Sequence, residues 1–252
     1  MTDLLSGGRL EFGIGSGAYQ REFDRMRPGL KQTDAWKYMN EMLPAVRALW
    51  AGDYAHEGEF WQFPTATSVP KPVQAEVPVW IAARAPVSYD YAVKQGCNIM
   101  LWPLLRPMAE AELYMQRMDE AMAANPGAKR PTMAMMRHTA VHERAEDWMV
   151  PVEAAQRQLS QFENLFKNLG DVTDGFPKGI PLAELGNRDE YNAKMLHENL
   201  MFGTPDQVIE KLHAYQALGV DEFIYYASMG LGLAEQKRSL ELFCNEVMPA
   251  FA

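Results

Sequence analysis

Apolar residues along this chain follow two spacings, one typical of helices and one typical of buried strands. In residues 33–51 they recur every three or four positions, which predicts an amphipathic helix that ends at Gly52. The apolar positions of this helix are Trp36, Met39, Leu43, Val46 and Trp50. Residues 78–83 (PVWIAA) and 98–102 (NIMLW) are instead short continuous apolar runs, which predict buried strands.

These two runs frame the clearest unit of the chain. Between them lies a helix predicted over residues 89–95 and ended by Gly96. So short a helical crossover implies two parallel neighbouring strands. Further strands are predicted at residues 9–14, 131–141 and 221–227, with helices between them.

Five strands that alternate with helices indicate an α/β fold with a parallel sheet, which is either a doubly wound sheet or an eight-stranded barrel. In both folds the chemistry lies at the carboxyl ends of the strands. Functional residues are therefore expected within residues 13–19, 83–88, 102–106 and 227–232.

Two segments depart from this alternation. Residues 57–77 are rich in aromatic residues and prolines and predict an excursion in the form of a hairpin. Residues 171–187 carry several glycines and prolines and show little periodicity. Because a loop of that length is usually functional or disordered, we expect residues 171–187 to act as a lid within one domain that spans residues 1–252.

The composition excludes several classes of protein. With 252 residues, of which 48% are apolar, the chain can bury one sizeable core without disulfides. Its net charge of -9 argues against nucleic acid as a partner, since phosphate binding needs a basic surface. Cys97 and Cys244 form neither a disulfide framework nor a zinc pattern. With no apolar stretch long enough for a membrane span and no signal-peptide pattern, we expect a cytoplasmic protein without a membrane partner.

Gly13, Gly15 and Ala18 match the Gly-x-Gly-x-x-Ala form of a dinucleotide-binding turn. Such a turn opens a helix that returns to a second strand with an acidic residue about 20 positions on. Residues 19–32 predict no such strand. Two interpretations stay open: the glycines only allow a tight turn, or they let a flat cofactor lie close to the backbone.

A second candidate site is the turn RAPVS at residues 84–88. A strand end followed directly by a helix points backbone N–H groups and the positive end of the helix dipole at one place, which favours an anion. Arg84 and the hydroxyl of Ser88 add hydrogen-bond donors for a phosphate. The alternative is that Ser88 only caps the helix and Arg84 is a solvated surface charge.

The remaining chemical patterns are weaker. His138 and His142 have the His-x-x-x-His spacing of zinc ligands on a helix. On a strand, which is the structure predicted there, they lie about 13 Å apart, so we expect no metal. No serine has a Gly-x-Ser-x-Gly context. Since no side chain stands out as a catalytic acid or base, the catalytic residues stay unassigned.

Three blocks, in order along the chain, resemble signature regions of the bacterial luciferase-like flavin monooxygenases. They are DLLSGGRLEFGIGSGAYQREF, VPVWIAARAPVSYDYAVKQGCNIML and FGTPDQVIEKLHAYQALGVDEFIYYA. The resemblance implies a (β/α)8 barrel of the TIM type that binds reduced FMN, or in some relatives a deazaflavin, at the carboxyl ends of its strands. It also implies an oxidoreductase of the monooxygenase type, which uses O2 to oxidise a small organic substrate and receives reduced FMN from a flavin reductase.

The resemblance also implies positions for the flavin. The turn after PVWIAA matches the family's flavin-phosphate loop, and the cofactor-binding residues implied there are Ala83, Arg84, Ala85 and Ser88. The earlier strand end matches the segment beside the flavin, where the implied residues are Gly13, Gly15, Ser16, Gly17 and Tyr19. Bacterial luciferase has a Cys-Arg pair where this chain has Gly15 and Ser16, so one phosphate contact is absent and Arg84 is a candidate to replace it.

The chain departs from the family pattern at its start. Family members begin with three βα units, at roughly 30 residues each, before the DLLSGGR segment, so the predicted barrel lacks its first three βα units. An incomplete barrel leaves sheet edges and an apolar inner face unpaired. We therefore expect a fragment, or a chain completed by a partner in a homodimer or heterodimer. Two other functions stay open: a non-catalytic partner subunit of a luciferase-like enzyme, and a barrel enzyme in which the RAPVS turn holds the phosphate of its substrate.

Overall fold

The computed structural model describes residues 1–167, 172–177, 179–185, 188–227 and 230–251. Contacts within the chain divide it into two compact units. The first unit comprises Met1–Ala82 and Gln95–Asn98, and the second comprises Ala83–Lys94 and Ile99–Ala252.

The first unit is built around a parallel pair of strands. In chain order its elements are α1 (Thr2–Ser6), β1 (Phe12–Ile14), α2 (Gln20–Met26), α3 (Ala35–Ala51), β2 (Tyr54–Glu57), β3 (Gln62–Ala66) and β4 (Val79–Ala82). β1 and β4 pair in parallel, with Phe12 opposite Val79, which confirms two of the predicted strands. α3 confirms the helix predicted over residues 33–51, and it buries Met39 and Leu43 of the predicted apolar face.

The antiparallel hairpin of β2 and β3 only overlaps the excursion predicted at residues 57–77, because its first strand begins at Tyr54, before the predicted segment. Glu41 of α3 holds this hairpin. Its carboxylate accepts hydrogen bonds from the N–H groups of Phe60 at 3.0 Å and Trp61 at 2.8 Å, and it lies 3.0 Å from Nε2 of His56. Burial acts to raise the pKa of Glu41, but these hydrogen bonds outweigh it and hold the pKa below its usual value.

The rest of the chain adds parallel strands and the helices between them. In chain order these elements are α4 (Pro86–Gln95), β5 (Asn98–Leu101), α5 (Met108–Ala124), β6 (Met133–Val141), α6 (Met149–Lys167), β7 (Val172–Thr173), β8 (Phe176–Pro177), α7 (Leu182–Leu185), α8 (Ala193–Asn199), β9 (Met201–Gly203), α9 (Pro205–Ala217), β10 (Glu222–Tyr226) and α10 (Leu233–Leu242). In the second unit β6 pairs in parallel with β5, β9 and β10. All residues of β6 except Met136 are buried, which is typical of a parallel strand covered on both faces.

These strands confirm the predicted α/β fold with parallel strands. All five predicted strands are present. β9 is a further strand that the sequence pattern did not predict, because its three residues are too few to show a period. The six parallel strands among the described residues are fewer than the eight that a closed barrel of the TIM type requires, so the described strands do not close a barrel.

One helix boundary differs from the prediction, and the last helix changes form along its length. α4 begins at Pro86 rather than Tyr89, because the fixed φ of proline suits the first turn of a helix. The last helix is α-helical only to Leu242 and continues to Phe251 in a π turn and a 3-10 turn. Pro249 contributes no N–H to a regular helix there. Among the described residues, no helix has both the length and the apolar character needed to span a bilayer.

The segment predicted as a lid has local structure in its described part. β7 and β8 pair antiparallel, and the turn between them is Asp174-Gly175, with φ values of 50° and 85°. An Asp-Gly pair with positive φ at both residues is a strong signal of a tight hairpin, so the segment is more regular than its sequence periodicity indicated. Asp171, Lys178, Gly186 and Asn187 lie outside the described residues, and a lid role stays a prediction.

Candidate functional site

A cavity of about 310 Å³ lies at the carboxyl-terminal part of the parallel strands in the second unit. Trp102 follows β5, His138 lies in the second half of β6 and Tyr226 is the last residue of β10, and all three line the cavity. Arg84, in the turn before α4, and residues 104–106 also line it. The cavity therefore contains residues from two of the four strand ends at which function was predicted.

Three aromatic rings form one wall of this cavity. Trp102 meets His138 edge to face with ring centroids 5.4 Å apart, and it meets Tyr226 in the same way at 5.8 Å. His138 and Tyr226 lie 4.5 Å apart with an angle of 33° between their planes. They are neighbours because the register of β6 and β10 places them directly opposite each other. The wall offers ring faces and edges on which a flat ligand can pack.

His138 is neutral and has an unused polar atom. Its side chain is 2% exposed, and burial, together with the positive charge of Arg137, lowers its pKa to about 3. Nδ1 is buried and has no hydrogen-bond partner among the described residues. Because a neutral imidazole has one donor and one acceptor nitrogen, His138 contributes a polar group without charge to the cavity wall.

The strand conformation of β6 decides how the two predicted histidines are placed. β6 extends over Met133–Val141, two residues shorter at its start than the strand predicted at residues 131–141, and it includes His138. His142 follows the end of the strand, and its Nδ1 lies 2.9 Å from the carbonyl oxygen of Arg144. Within the part of the chain that the structure describes, no group of three or more His, Cys, Asp or Glu side chains could hold a metal ion.

A further part of the cavity lining comes from α6 and the 3-10 helix Asp189–Tyr191. It consists of Gln158, Leu159, Glu163, Glu190 and Tyr191. The carboxylate of Glu163 accepts hydrogen bonds from Nη1 of Arg188 and from the hydroxyl of Tyr191, the latter at 3.0 Å. Burial, followed by this carboxylate, raises the pKa of Tyr191, so its phenol stays protonated. The charge of Glu163 is thus balanced by Arg188.

The RAPVS turn holds its own backbone together. The hydroxyl of Ser88 donates to the carbonyl of Ala85 at 2.7 Å, and the N–H of Ser88 donates to the same oxygen at 2.9 Å. Ser88 is buried, and its hydroxyl donates to a carbonyl instead of accepting from a backbone N–H, so it stabilises the turn without acting as the N-cap of α4. Arg117 donates to the carbonyl of Arg84, and the exposed Arg84 is the residue of the turn that lines the cavity. Ala83 is buried just before the turn.

The glycine segment lies in the first unit, and its members differ in what they require. Gly13 and Gly15 have φ values outside the left-handed region, and a methyl group on either would meet nothing within 4 Å. Gly17 has a φ of 79°, and a methyl group there would lie 3.0 Å from Phe23. Backbone conformation therefore explains Gly17 but does not explain Gly13 or Gly15, which leave open space beside the backbone.

The continuation of this segment argues against a dinucleotide turn. Ser16 and Tyr19 are half-buried, and after Tyr19 the chain forms α2 and then α3 without a strand between them. The predicted absence of the second strand is therefore confirmed. Burial, followed by the charge of Glu22, raises the pKa of Tyr19, so its phenol is a neutral hydrogen-bonding group.

Most of the cavity could not be identified from the sequence. His138 attracted attention only as part of a metal pattern, and Gln158 and Leu159 look like members of an ordinary amphipathic helix. Tyr226 lies one residue before the predicted strand end at 227–232, of which residues 228 and 229 lie outside the described residues. The usable signal was the position of Trp102 directly after an apolar strand.

Comparison with known proteins agrees with this geometry. A family model described as luciferase-like monooxygenase matches residues 1–222. A flavin-dependent trigonelline monooxygenase, oxygenase component, from Acinetobacter baylyi is 38% identical in an alignment that covers 100% of this chain and 70% of that protein. An FMNH2-dependent dimethylsulfone monooxygenase from Pseudomonas putida is 23% identical over 98% of this chain and 67% of that protein.

Solved structures show the same fold. An F420-dependent secondary alcohol dehydrogenase in complex with an F420-acetone adduct superposes with a TM-score of 0.74 over 98% of this chain and 71% of that chain, at 17% identity. At that identity the likeness shows the fold alone, whereas the family model and the relative from A. baylyi show the family. The chain therefore belongs to the luciferase-like monooxygenase family of flavin-dependent enzymes, and it has that family's α/β fold of the TIM-barrel type.

Proposed function

We propose that this enzyme is the oxygenase component of a two-component system, in which a separate flavin reductase supplies reduced FMN and the enzyme uses it with O2 to oxidise a small organic molecule. The relative from A. baylyi is named an oxygenase component and the relative from P. putida is named FMNH2-dependent, which supports this proposal. The observation that carries it is the cavity at the carboxyl ends of the strands, with Arg84 in its wall next to the start of α4.

The RAPVS turn fits the phosphate of a flavin nucleotide. Arg84 brings a positive charge to the cavity, and the start of α4 adds the positive end of the helix dipole. Ala83 and Ala85 have small side chains that leave the backbone accessible, and Ser88 holds the turn in shape. In this proposal Arg84 and the backbone at Ala85 bind the phosphate.

The glycine segment is proposed to bind the flavin ring. This proposal is supported by the open space beside Gly13 and Gly15. A methyl group added to either residue would have no atom of the first unit within 4 Å. Ser16, Gly17 and Tyr19 belong to the same proposal through their place in the segment. F420 is a second candidate cofactor, because the superposed alcohol dehydrogenase binds it.

A bound reduced flavin supplies the electrons for the reaction with O2. The role of this chain is to bind and orient the flavin and the substrate and to exclude water from them. The aromatic wall offers an apolar surface on which a bound ligand can pack. The hydroxyl of Tyr191 donates a hydrogen bond to the carboxylate of Glu163. His138, with a pKa of about 3, takes up no proton near neutral pH, so the chain's own catalytic residues stay unassigned.

Titration of FMN into the purified chain, followed by oxygen uptake with a flavin reductase, tests the proposal. We expect saturable FMN binding, and we expect Arg84→Gln to weaken it about tenfold because one charge-assisted hydrogen bond to phosphate is lost. Lys237→Gln, which removes an exposed positive charge on α10, serves as the control and keeps the affinity unchanged.

Three results would contradict this assignment. If Arg84→Gln binds FMN as tightly as the unchanged chain does, the phosphate of FMN does not bind at the RAPVS turn. Failure to bind FMN together with a stable heterodimer would favour a non-catalytic partner subunit. Failure to bind FMN together with binding of inorganic phosphate that Arg84→Gln abolishes would favour an enzyme that acts on phosphorylated substrates.

Two further expectations are proposals of the same kind. The segment from β7 to α7 is proposed to cover the site, because the chain continues from it into Glu190 and Tyr191, which line the cavity. Assembly as a homodimer or heterodimer is proposed from the number of parallel strands, and light scattering after size-exclusion chromatography measures it.

A further inference from the structure

Beside the phosphate proposed to bind at Arg84, the cavity in the second unit has room for one small molecule. Ligand sites in proteins have volumes of roughly 300–1,000 Å³, so this cavity of about 310 Å³ lies at the lower limit and fits a single ring with its substituents. Its wall carries Trp102, His138 and Tyr226, whose rings are arranged edge to face or partly stacked. Such a wall favours a flat aromatic ring over a saturated one, because ring faces and edges attract each other beyond simple contact.

His138 lines the cavity and has a buried ring nitrogen that the described residues leave unpaired. The residue is 2% exposed, and its Nδ1 is buried without a hydrogen-bond partner among the described residues. Buried polar atoms in proteins are hydrogen-bonded in the large majority of cases. Because the imidazole is neutral, the matching group is a neutral one, such as a ring hydroxyl or a ring nitrogen.

The charges around the cavity favour an anionic group on the same ligand. Arg106 is exposed at the cavity, and no carboxylate among the described residues forms an ion pair with it. The two acidic residues of the wall, Glu163 and Glu190, both lie beside Arg188, which forms an ion pair with Glu163. Arg137 is fully buried behind the wall and donates at 3.0 Å to the carbonyl of a lining residue, Leu104. The positive charges are thus less well balanced than the negative ones.

We infer that this cavity binds the substrate, and that the substrate is a single-ring aromatic acid with a neutral polar group on the ring. The ring packs on Trp102 and Tyr226, His138 hydrogen-bonds the polar ring group, and Arg106 binds the carboxylate. His138 and Arg106 are then the residues that determine substrate specificity. The inference rests on the proposed function, because the ligand is a substrate only if the enzyme is an oxygenase, but its test needs neither flavin nor turnover.

Calorimetric titration of four probes into the flavin-free full chain measures this specificity. The probes are 4-hydroxybenzoate, benzoate, 4-hydroxybenzamide and cyclohexanecarboxylate. We expect 4-hydroxybenzoate to bind most tightly and benzoate about fivefold more weakly, since it lacks one hydrogen bond. The amide is expected to bind about tenfold more weakly because it lacks the charge, and the saturated acid about tenfold more weakly because it lacks the flat ring.

Two variants separate a specific contact from a structural role. His138→Phe keeps an aromatic ring of similar size and removes the nitrogens, so we expect 4-hydroxybenzoate to bind about fivefold more weakly and benzoate to bind as before. Arg106→Gln is expected to weaken both aromatic acids about tenfold and to leave the amide unchanged. His142→Phe, at a histidine outside the cavity lining, is the matched control and changes none of the four affinities. A purely structural effect would weaken all probes alike.

The inference is overturned if no aromatic acid binds, if all four probes bind equally, or if His138→Phe weakens benzoate as much as 4-hydroxybenzoate. If His138→Phe does not fold, the order of the probes on the unchanged chain still decides. FMN binding and oxygen uptake are measured separately, so failure of the proposed function is distinguishable. If the probes bind in the expected order but FMN does not bind, the aromatic-acid site is supported and the oxygenase function is contradicted. If FMN binds but the probes do not follow that order, the oxygenase function is supported and the aromatic-acid site is contradicted.

Discussion

Ser239 attaches the last helix of the chain to the strands that build the cavity. It lies on α10 and is 3% exposed. Its Oγ accepts a hydrogen bond from the N–H of Val141, the last residue of β6, at 2.7 Å. The same Oγ lies 2.7 Å from the hydroxyl of Tyr225 in β10. One hydroxyl group therefore satisfies polar groups on two neighbouring strands.

Ser239→Ala is expected to destabilise the fold strongly for a change of one atom. The N–H of Val141 is left unpaired in a buried position, which costs about 1–3 kcal/mol. The hydroxyl of Tyr225 belongs to a half-buried residue and can turn to water, so its loss costs about 0.5–1 kcal/mol. The free energy of unfolding should fall by about 1.5–4 kcal/mol. For 252 residues the unfolding entropy is roughly 0.5 kcal/mol/K, so the Tm falls by about 3–8 °C.

Thermal unfolding followed by circular dichroism, with urea unfolding as a second measure, tests this expectation. Ser160→Ala is the matched control: Ser160 is also buried, but its hydroxyl donates to the carbonyl of Arg157 within the same helix, so we expect a loss below about 0.5 kcal/mol. A double-mutant cycle with Tyr225→Phe should show a coupling of about 0.5–1 kcal/mol. A Tm loss in Ser239→Ala no larger than that of Ser160→Ala would refute the reasoning.

Three further predictions concern the histidine of the cavity, the glycine segment and an anchoring carboxylate. His138 should show no NMR titration between about pH 5 and 8. Because its folded pKa of about 3 lies below the usual 6.5, the unfolded chain binds the extra proton, and the stability of the fold decreases as the pH drops below 6.5. His138→Phe should remove this pH dependence of the stability. Gly17→Ala, at a φ of 79°, should destabilise the protein by about 1–2 kcal/mol, whereas Gly15→Ala should keep its Tm and weaken FMN binding; an unchanged FMN affinity would contradict the proposed place of the flavin ring. The carboxylate of Asp3 accepts hydrogen bonds from the N–H groups of Val73 at 2.7 Å and Gln74 at 3.1 Å, and these and others outweigh burial and lower its pKa from 3.8. Asp3→Asn should therefore lower the Tm at neutral pH. The difference in Tm should decrease as the pH falls through the folded pKa, which thermal unfolding across a pH series measures.

Most strands and helices could be predicted because their signals are local. The run PVWIAA is apolar throughout and bounded by a proline and an arginine, and it forms β4 with one residue lost at its start and one at its end. β9 escaped prediction because it is a three-residue strand that exists through pairing with the end of β6. The β7–β8 hairpin had a local signal, Asp174-Gly175, which the irregular composition around it obscured.

The candidate site was predictable only in part. Arg84 was identified from the strand-to-helix turn, and it lines the cavity. The same argument placed Ser88 as a phosphate donor, whereas its hydroxyl bonds the Ala85 carbonyl in the structure, because a serine in the first turn of a helix has a backbone acceptor within reach. The pairing of Glu163 with Arg188 and Tyr191 left no pattern in the sequence.

The sequence by itself determined the alternation of buried parallel strands with helices, and with it the edge at which functional residues gather, because apolar period and turn residues act over a few neighbouring positions. Only the tertiary structure decided that Trp102, His138 and Tyr226 share one wall, since their contact depends on the register of three strands that are distant in the chain. It also decided the state of His138, because the pKa of a side chain depends on how much water the surrounding fold removes.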